Sequence, residues 1–162
     1  MGKRSDTAIS KSAKVGSSAK VKDKAKVLDE ARVTGRATIK DKATVCGKAH
    51  VAGRAEVRDQ ATVTDYAWVQ ADALIADDAY IGGRVRVFGD ADVTGDARIE
   101  GEARIGHKAR VSSSKHVVSV VESGTLWTAY RTAKNGVGVL KGNDKAKLSD
   151  APKALRNAIK WT

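Results

Sequence analysis

Lys14, Arg32, His50, Trp68, Arg86 and Arg104 stand eighteen residues apart along the chain, and as a set they carry the chemistry of polyanion recognition. Lysine and arginine neutralise phosphates, and an indole offers a π-face on which a base or a guanidinium can stack. An imidazole can hydrogen-bond a base or accept a proton near neutrality. The other histidines, His107 and His116, follow His50 at spacings of 57 and 9 residues, which match no compact zinc signature. The single cysteine, Cys46, has no partner for a disulfide and no ligand neighbours. Gly47-Lys48 lacks the rest of a phosphate-binding loop, and no Ser/His/Asp cluster or paired-carboxylate site is recognisable. No metal, cofactor or catalytic residue is therefore assigned.

Eighteen is three times six, and six is the period of the elements that must position these side chains. From Thr7 the chain repeats every six residues for eighteen repeats without an insertion, the mark of a solenoid. Position one is Ala in sixteen repeats, the exceptions being Thr7 and Val85, and position three is always Val or Ile, from Ile9 to Val111. On an extended segment these two positions share a face, so Ala and the β-branched residue point inward and position two points outward. Position five is Gly or Asp in thirteen repeats, the residues that best tolerate a left-handed backbone at a turn. Each repeat therefore reads as a very short strand and a corner; the three-and-four spacing of a helix is not sustained.

Repeats such as Ala31-Arg-Val-Thr-Gly-Arg36 and Ala43-Thr-Val-Cys-Gly-Lys48 resemble the hexapeptide-repeat family. The resemblance implies an all-β fold, a left-handed parallel β-helix of triangular section with three repeats per coil. Residues 7–114 then make six coils, roughly 25–30 Å tall at strand spacing. Every third repeat falls in one column. Position two reads Ala8, Lys26, Thr44, Thr62, Tyr80, Arg98 on the first face and Lys20, Thr38, Glu56, Leu74, Asp92, Arg110 on the third. The second face holds the six residues named at the outset, a cationic ladder centred on His50 and Trp68. The best-known proteins similar to this pattern are acyltransferases, in which a histidine activates a hydroxyl or amine beside acyl-coenzyme A, and similar carbonic anhydrases hold zinc on three histidines. Such enzymes usually build the pocket with a loop insertion, and residues 7–114 contain none; His50 would be the base if catalysis occurred.

The register ends at Ser112-Ser113-Ser114, and residues 115–162 form a second unit. His116–Val121 lacks the Ala position. Leu126–Thr132 and Val137–Leu140 flank Asn135-Gly136, a hairpin signal. Asn143–Lys147 reads as polar linker. Ser149-Asp150 can cap a last helix with Pro152 in its first turn and Ala151, Leu155, Ala158 and Ile159 on one apolar face. The expectation is a hairpin and helix that cap the prism or join chains. Val-x-Gly-x-Ala repeats followed by Ser123-Gly-Thr-Leu-Trp-Thr-Ala-Tyr-Arg-Thr132 resemble short proteins of bacteriophages and prophages, although Gly142-Asn-Asp-Lys145 stands where those commonly have a Gly-Cys-Phe-type segment.

Charge is uneven: +8 over residues 1–48, −3 over 49–114 and +6 over 115–162, for a total of +11. Lys20, Lys22, Lys24 and Lys26 lie on the early coils, where lysine either discourages end-to-end strand pairing or contributes to an anion-binding surface. Four of the seven aromatic residues, Tyr66, Trp68, Tyr80 and Phe88, together with Leu74, form a belt around the fourth and fifth coils, a candidate contact in a dimer or trimer or with a host protein. No apolar run reaches membrane-span length and no signal-peptide core follows Met1, so the expected location is the cytoplasm, that of the host if a phage encodes the chain. The function expected is non-enzymatic binding of DNA, RNA or a small nucleotide by a homo-oligomer. The alternatives are an oligomer with a structural or host-protein-binding role and acyl-coenzyme A-dependent acyl transfer. An ice-binding array would want Thr in long columns, and Thr44 and Thr62 make only two rungs.

Overall fold

The computed structural model describes residues 6–113, 116–132, 136–142 and 144–159. Eighteen two-residue strands run from β1 (Ala8–Ile9) to β18 (Arg110–Val111), one per repeat, so that strand βn occupies residues 6n + 2 and 6n + 3. They form three six-stranded parallel sheets, ordered β1-β4-β7-β10-β13-β16, β2-β5-β8-β11-β14-β17 and β3-β6-β9-β12-β15-β18. The result is a three-sided β-solenoid of six coils. Two residues suffice for a strand because stacking satisfies the backbone: amides at positions two and four donate to carbonyls at positions one and three of the following coil, as Lys26 N does to Ala43 O (2.9 Å) and Leu28 N to Val45 O (2.9 Å).

From Ala25 to Val111 every residue at positions one and three is buried. Alanine leaves room for the Val or Ile two residues on, and coil upon coil gives one continuous apolar column. The first coil has no coil beneath it: Ile9 is half exposed, and Val15 and Val21 are only partly buried.

At the corners all thirteen Gly and Asp residues of position five have positive φ. Glycine answers crowding; a Cβ on Gly53 (φ +73) would lie 2.7 Å from Ala71 N. Aspartate adds a bond, because its carboxylate accepts from the amide one coil on: Gly47 N donates to Asp29 Oδ2 at 2.9 Å, Gly83 N to Asp65 Oδ2 at 2.8 Å and Gly95 N to Asp77 Oδ2 at 2.9 Å. Ala71 (φ 62) and His107 (φ 58) take the same left-handed conformation, where a side chain other than Gly, Asn or Asp is strained.

The C-terminal unit is a four-stranded antiparallel sheet, β19 (Val117–Glu122), β20 (Thr125–Arg131), β21 (Val137–Lys141) and β22 (Asp144–Ala146), followed by a 3-10 turn (Leu148–Asp150) and helix α1 (Lys153–Ala158). β20 and β21 form the expected hairpin, with Arg131 opposite Val137; Asn135 lies outside the described residues, as do Ser114 and Asn143. Beyond the hairpin, Val117–Glu122 adds strand β19, whose pairing with β20 completes a ladder without the Ala register. Two expectations need correction. Within the polar stretch 143–147, Asp144–Ala146 is an edge strand, whose backbone bonds to β21 do not require apolar side chains. The Ser149-Asp150 cap does not form: Ser149 Oγ donates to the Asp150 carboxylate (3.0 Å), Pro152 is the N-cap without a side-chain bond, and Ala158 is exposed.

Alternation gives the sheet two buried faces. Tyr130 and Leu140 enter the solenoid core, while Trp127, Ala129 and Val139 pack with Ala151 and Leu155 in a second core. The last coil has amides and no further coil to accept from them. The sheet supplies an acceptor, Thr128 Oγ1, to Arg104 N (3.1 Å), and it docks on the coil through an antiparallel bridge between Ala109 and Thr132.

Candidate anion-binding face

The second sheet places Lys14 beside Arg32, Arg32 beside His50, His50 beside Trp68, Trp68 beside Arg86 and Arg86 beside Arg104. The whole ladder expected from the eighteen-residue spacing is therefore one column. Its centre is a stack: the His50 and Trp68 rings lie 5.4 Å apart at 19°, and Arg86 Cζ sits 5.1 Å from the Trp68 centroid. Successive rungs of a parallel sheet are about 4.8 Å apart, which brings position-two side chains into such contact. Thr34 Oγ1 and His50 Nε2 are 2.9 Å apart, so the imidazole is held at its edge as well as its face. Burial first, and then the nearby Arg32 charge, push the His50 pKa below its ordinary value. The ring is thus neutral at pH 7. Both faces of the indole are occupied, by the His50 ring and the Arg86 guanidinium.

Around this column the sequence is free of carboxylates. Positions two to five of the second-face repeats, from Lys14–Ser17 to Arg104–His107, contain no Asp or Glu. The same positions on the first face hold Asp29, Asp65 and Glu100, and on the third face Asp23, Asp41, Glu56, Asp59, Asp77 and Asp92. Pairing follows the composition. On the third face Lys40 and Arg58 reach Glu56 at 3.0 and 3.4 Å, Arg58 also reaches Asp59 at 2.9 Å, and Arg110 pairs with Asp92. On the first, Arg98 reaches Glu100 at 2.6 Å and lies over Tyr80. Among the described residues no carboxylate approaches Lys14, Arg32 or Arg86 within ion-pair distance, while Glu30, Asp72 and Glu102 are engaged by Lys48, Arg54 and Arg84.

The aromatic belt does not form a single patch. Tyr66 is exposed at a corner beneath Lys48, Leu74 is half-buried on the third face, and Tyr80 lies on the first face over Gly82. Phe88 covers Gly106 beside the second face and meets His107 edge-on at 5.8 Å. Only Trp68 and Phe88 share a side of the prism.

The three histidines do not converge. His50 is on the second face, His107 at a late corner, and His116 at the base of the C-terminal sheet, where Arg131 Nη1 donates to its Nε2 at 3.1 Å. No group of three or more His, Cys, Asp or Glu among the described residues is arranged to hold a metal ion. Cys46 is half-buried, its thiol donating to Thr64 Oγ1 at 3.3 Å. No helix among them is long and apolar enough to cross a membrane. Thr34, the anchor of His50, was not singled out in the sequence; its signal is its place sixteen residues before the histidine, at position four of the neighbouring rung. No protein-family model matches the chain, and no significant similarity links it to a curated protein or a solved structure.

Proposed function

We propose that the protein is a non-enzymatic binding protein that engages a polyanion, nucleic acid foremost, along its second face. The observation that carries this reading is the strip at positions two to five that holds no carboxylate, along which Lys14, Arg32 and Arg86 project from the sheet with no acid within ion-pair distance. Lys14 with Arg32, and Arg86 with Arg104, form two cationic pairs that contact phosphates on either side of the His50–Trp68 centre. Trp68 holds Arg86 in place and meets a base at the ring edge, and His50 contributes a hydrogen bond. The Lys-rich early coils extend the positive field. Phage or prophage origin, residence in the host cytoplasm and assembly as a dimer or trimer belong to the same proposal and rest on the resemblance of the repeats and of Ser123–Thr132.

Fluorescence anisotropy with labelled single-stranded and duplex oligonucleotides tests it. Four phosphate contacts predict that duplex affinity falls about 10²-fold between 50 and 200 mM salt. Salt-insensitive binding, or full binding by the Arg32→Ala/Arg86→Ala variant, removes this face from the function. Acyl-coenzyme A turnover that disappears in His50→Ala would replace binding with acyl transfer. The exposure of Tyr66 favours a second role, in assembly, for the corner it occupies; a light-scattering mass above the monomer that drops in Tyr66→Ser would assign that corner to the contact.

A further inference from the structure

Where the C-terminal sheet closes over the last two coils it leaves a cavity of about 560 Å³ between Asp90, His107 and Lys108 on the solenoid and Tyr130, Val139 and Lys145 on the sheet. That volume lies in the range of small-molecule sites. We propose that this cavity binds a small organic anion, an oxyanion head on an apolar or aromatic body.

The two halves of such a ligand answer to different walls. The sheet offers Tyr130, Val139 and Ala146 to the body, and the Tyr130 ring lies against Gly138, where a Cβ would come within 2.5 Å of it. The head answers to charge: Lys108 and Lys145 set two ammonium groups against the single carboxylate of Asp90. Between them stands His107, whose Nε2 is buried and has no hydrogen-bond partner. A buried ring nitrogen in that state costs free energy until a partner arrives. In the neutral ring Nε2–H can donate to an oxyanion, and burial together with the Lys145 charge keeps the ring neutral.

The place of His107 in the repeat supports the same assignment. Position five is Gly or Asp in thirteen repeats, and glycine would turn this corner without the strain that His107 carries at φ 58. His107 lies in the last coil, so its ring has no following coil to cap. It is held edge-on by Phe88, 5.8 Å away, in the wall of the cavity.

The probe is 8-anilinonaphthalene-1-sulfonate, an aromatic sulfonate that fluoresces in apolar sites, titrated into the full chain. Saturable binding at one probe per chain is expected, weakened about tenfold or more in His107→Gly and in Lys145→Glu and unchanged in Arg86→Ala, which separates the cavity from the second face. Glycine suits the left-handed corner, so His107→Gly keeps the fold. In imidazole NMR spectra the probe should shift the His107 ring resonances and leave those of His50 in place. Unaltered affinity in both variants, a shift at His50 instead of His107, or equal affinity for the uncharged analogue N-phenyl-1-naphthylamine would each overturn the proposal.

Discussion

The second and third faces of the solenoid share one backbone and one core yet present opposite electrostatics. On the third face every coil but the last carries an acid at positions two to five, and basic neighbours such as Lys40, Arg58 and Arg110 fold down onto Glu56, Asp59 and Asp92. At the same positions of the second face no acid occurs, and Arg86 is held by an indole instead. The difference shows that a solenoid separates scaffold from surface: inward positions and the left-handed corners build the fold, while position two can be rewritten without disturbing it. Exposed ion pairs contribute little stability, so beyond the corner bonds of Asp23, Asp41, Asp59 and Asp77 the acids of the third face serve to cancel its field.

The largest test of this contrast is charge reversal. Arg32→Glu/Arg86→Glu should lower oligonucleotide affinity by about 10²-fold near 0.1 M salt, whereas Lys40→Glu should change it by no more than about threefold; equal losses measured by anisotropy would dissolve the distinction between faces. The corners come next. Gly53→Val puts a β-branched residue at φ +73 against the Ala71 backbone and should cost roughly 2–3 kcal/mol in urea unfolding. In the same column Ala71→Gly relieves a strained residue and should raise stability by about 0.5–1 kcal/mol. Third, Gln70→Glu writes a carboxylate into the acid-free strip beside Trp68; affinity should fall by about three- to tenfold, with less salt dependence.

The smallest effect is on pH. Burial lowers the pKa of His50, His107 and His116 below the ordinary 6.5, with Arg32, Lys145 and Arg131 adding to the shift respectively. The unfolded chain therefore binds more protons than the folded one as pH falls through 6.5, and stability present at neutral pH is lost on acidification. The midpoint of thermal unfolding should fall between pH 7 and 5, and His50→Gln should make that fall shallower.

Much of the fold was legible because its determinants are local. A Val or Ile two residues after an Ala, with Gly or Asp two further on, specifies strand and corner within one repeat, and the residues from Ala25 to Val111 are buried accordingly. The contents of the ladder followed from the eighteen-residue spacing. Less was legible past residue 114. Val117–Glu122 and Asp144–Ala146 become strands through partners elsewhere in the chain, and Ser149 bonds its own neighbour rather than a helix amide. Ala71 and His107 adopt left-handed corners because they fall at the fifth position of a repeat whose turn takes that conformation, although neither is the Gly or Asp that marks the corner elsewhere.

By itself, then, the sequence determined the number of coils, which side chains point inward, and which column of charges each face carries, since all three depend only on a strict period and the alternation of a strand. Tertiary structure decided how those charges are used. Whether Lys40 is cancelled by Glu56 while Arg86 rests on Trp68, whether His50 bonds Thr34, and whether a cavity opens beside His107 depend on neighbours sixteen or more residues away and on how the C-terminal sheet closes the last coil. Such contacts are set by packing in three dimensions, where small differences in side-chain reach choose among partners that a repeat pattern leaves equivalent.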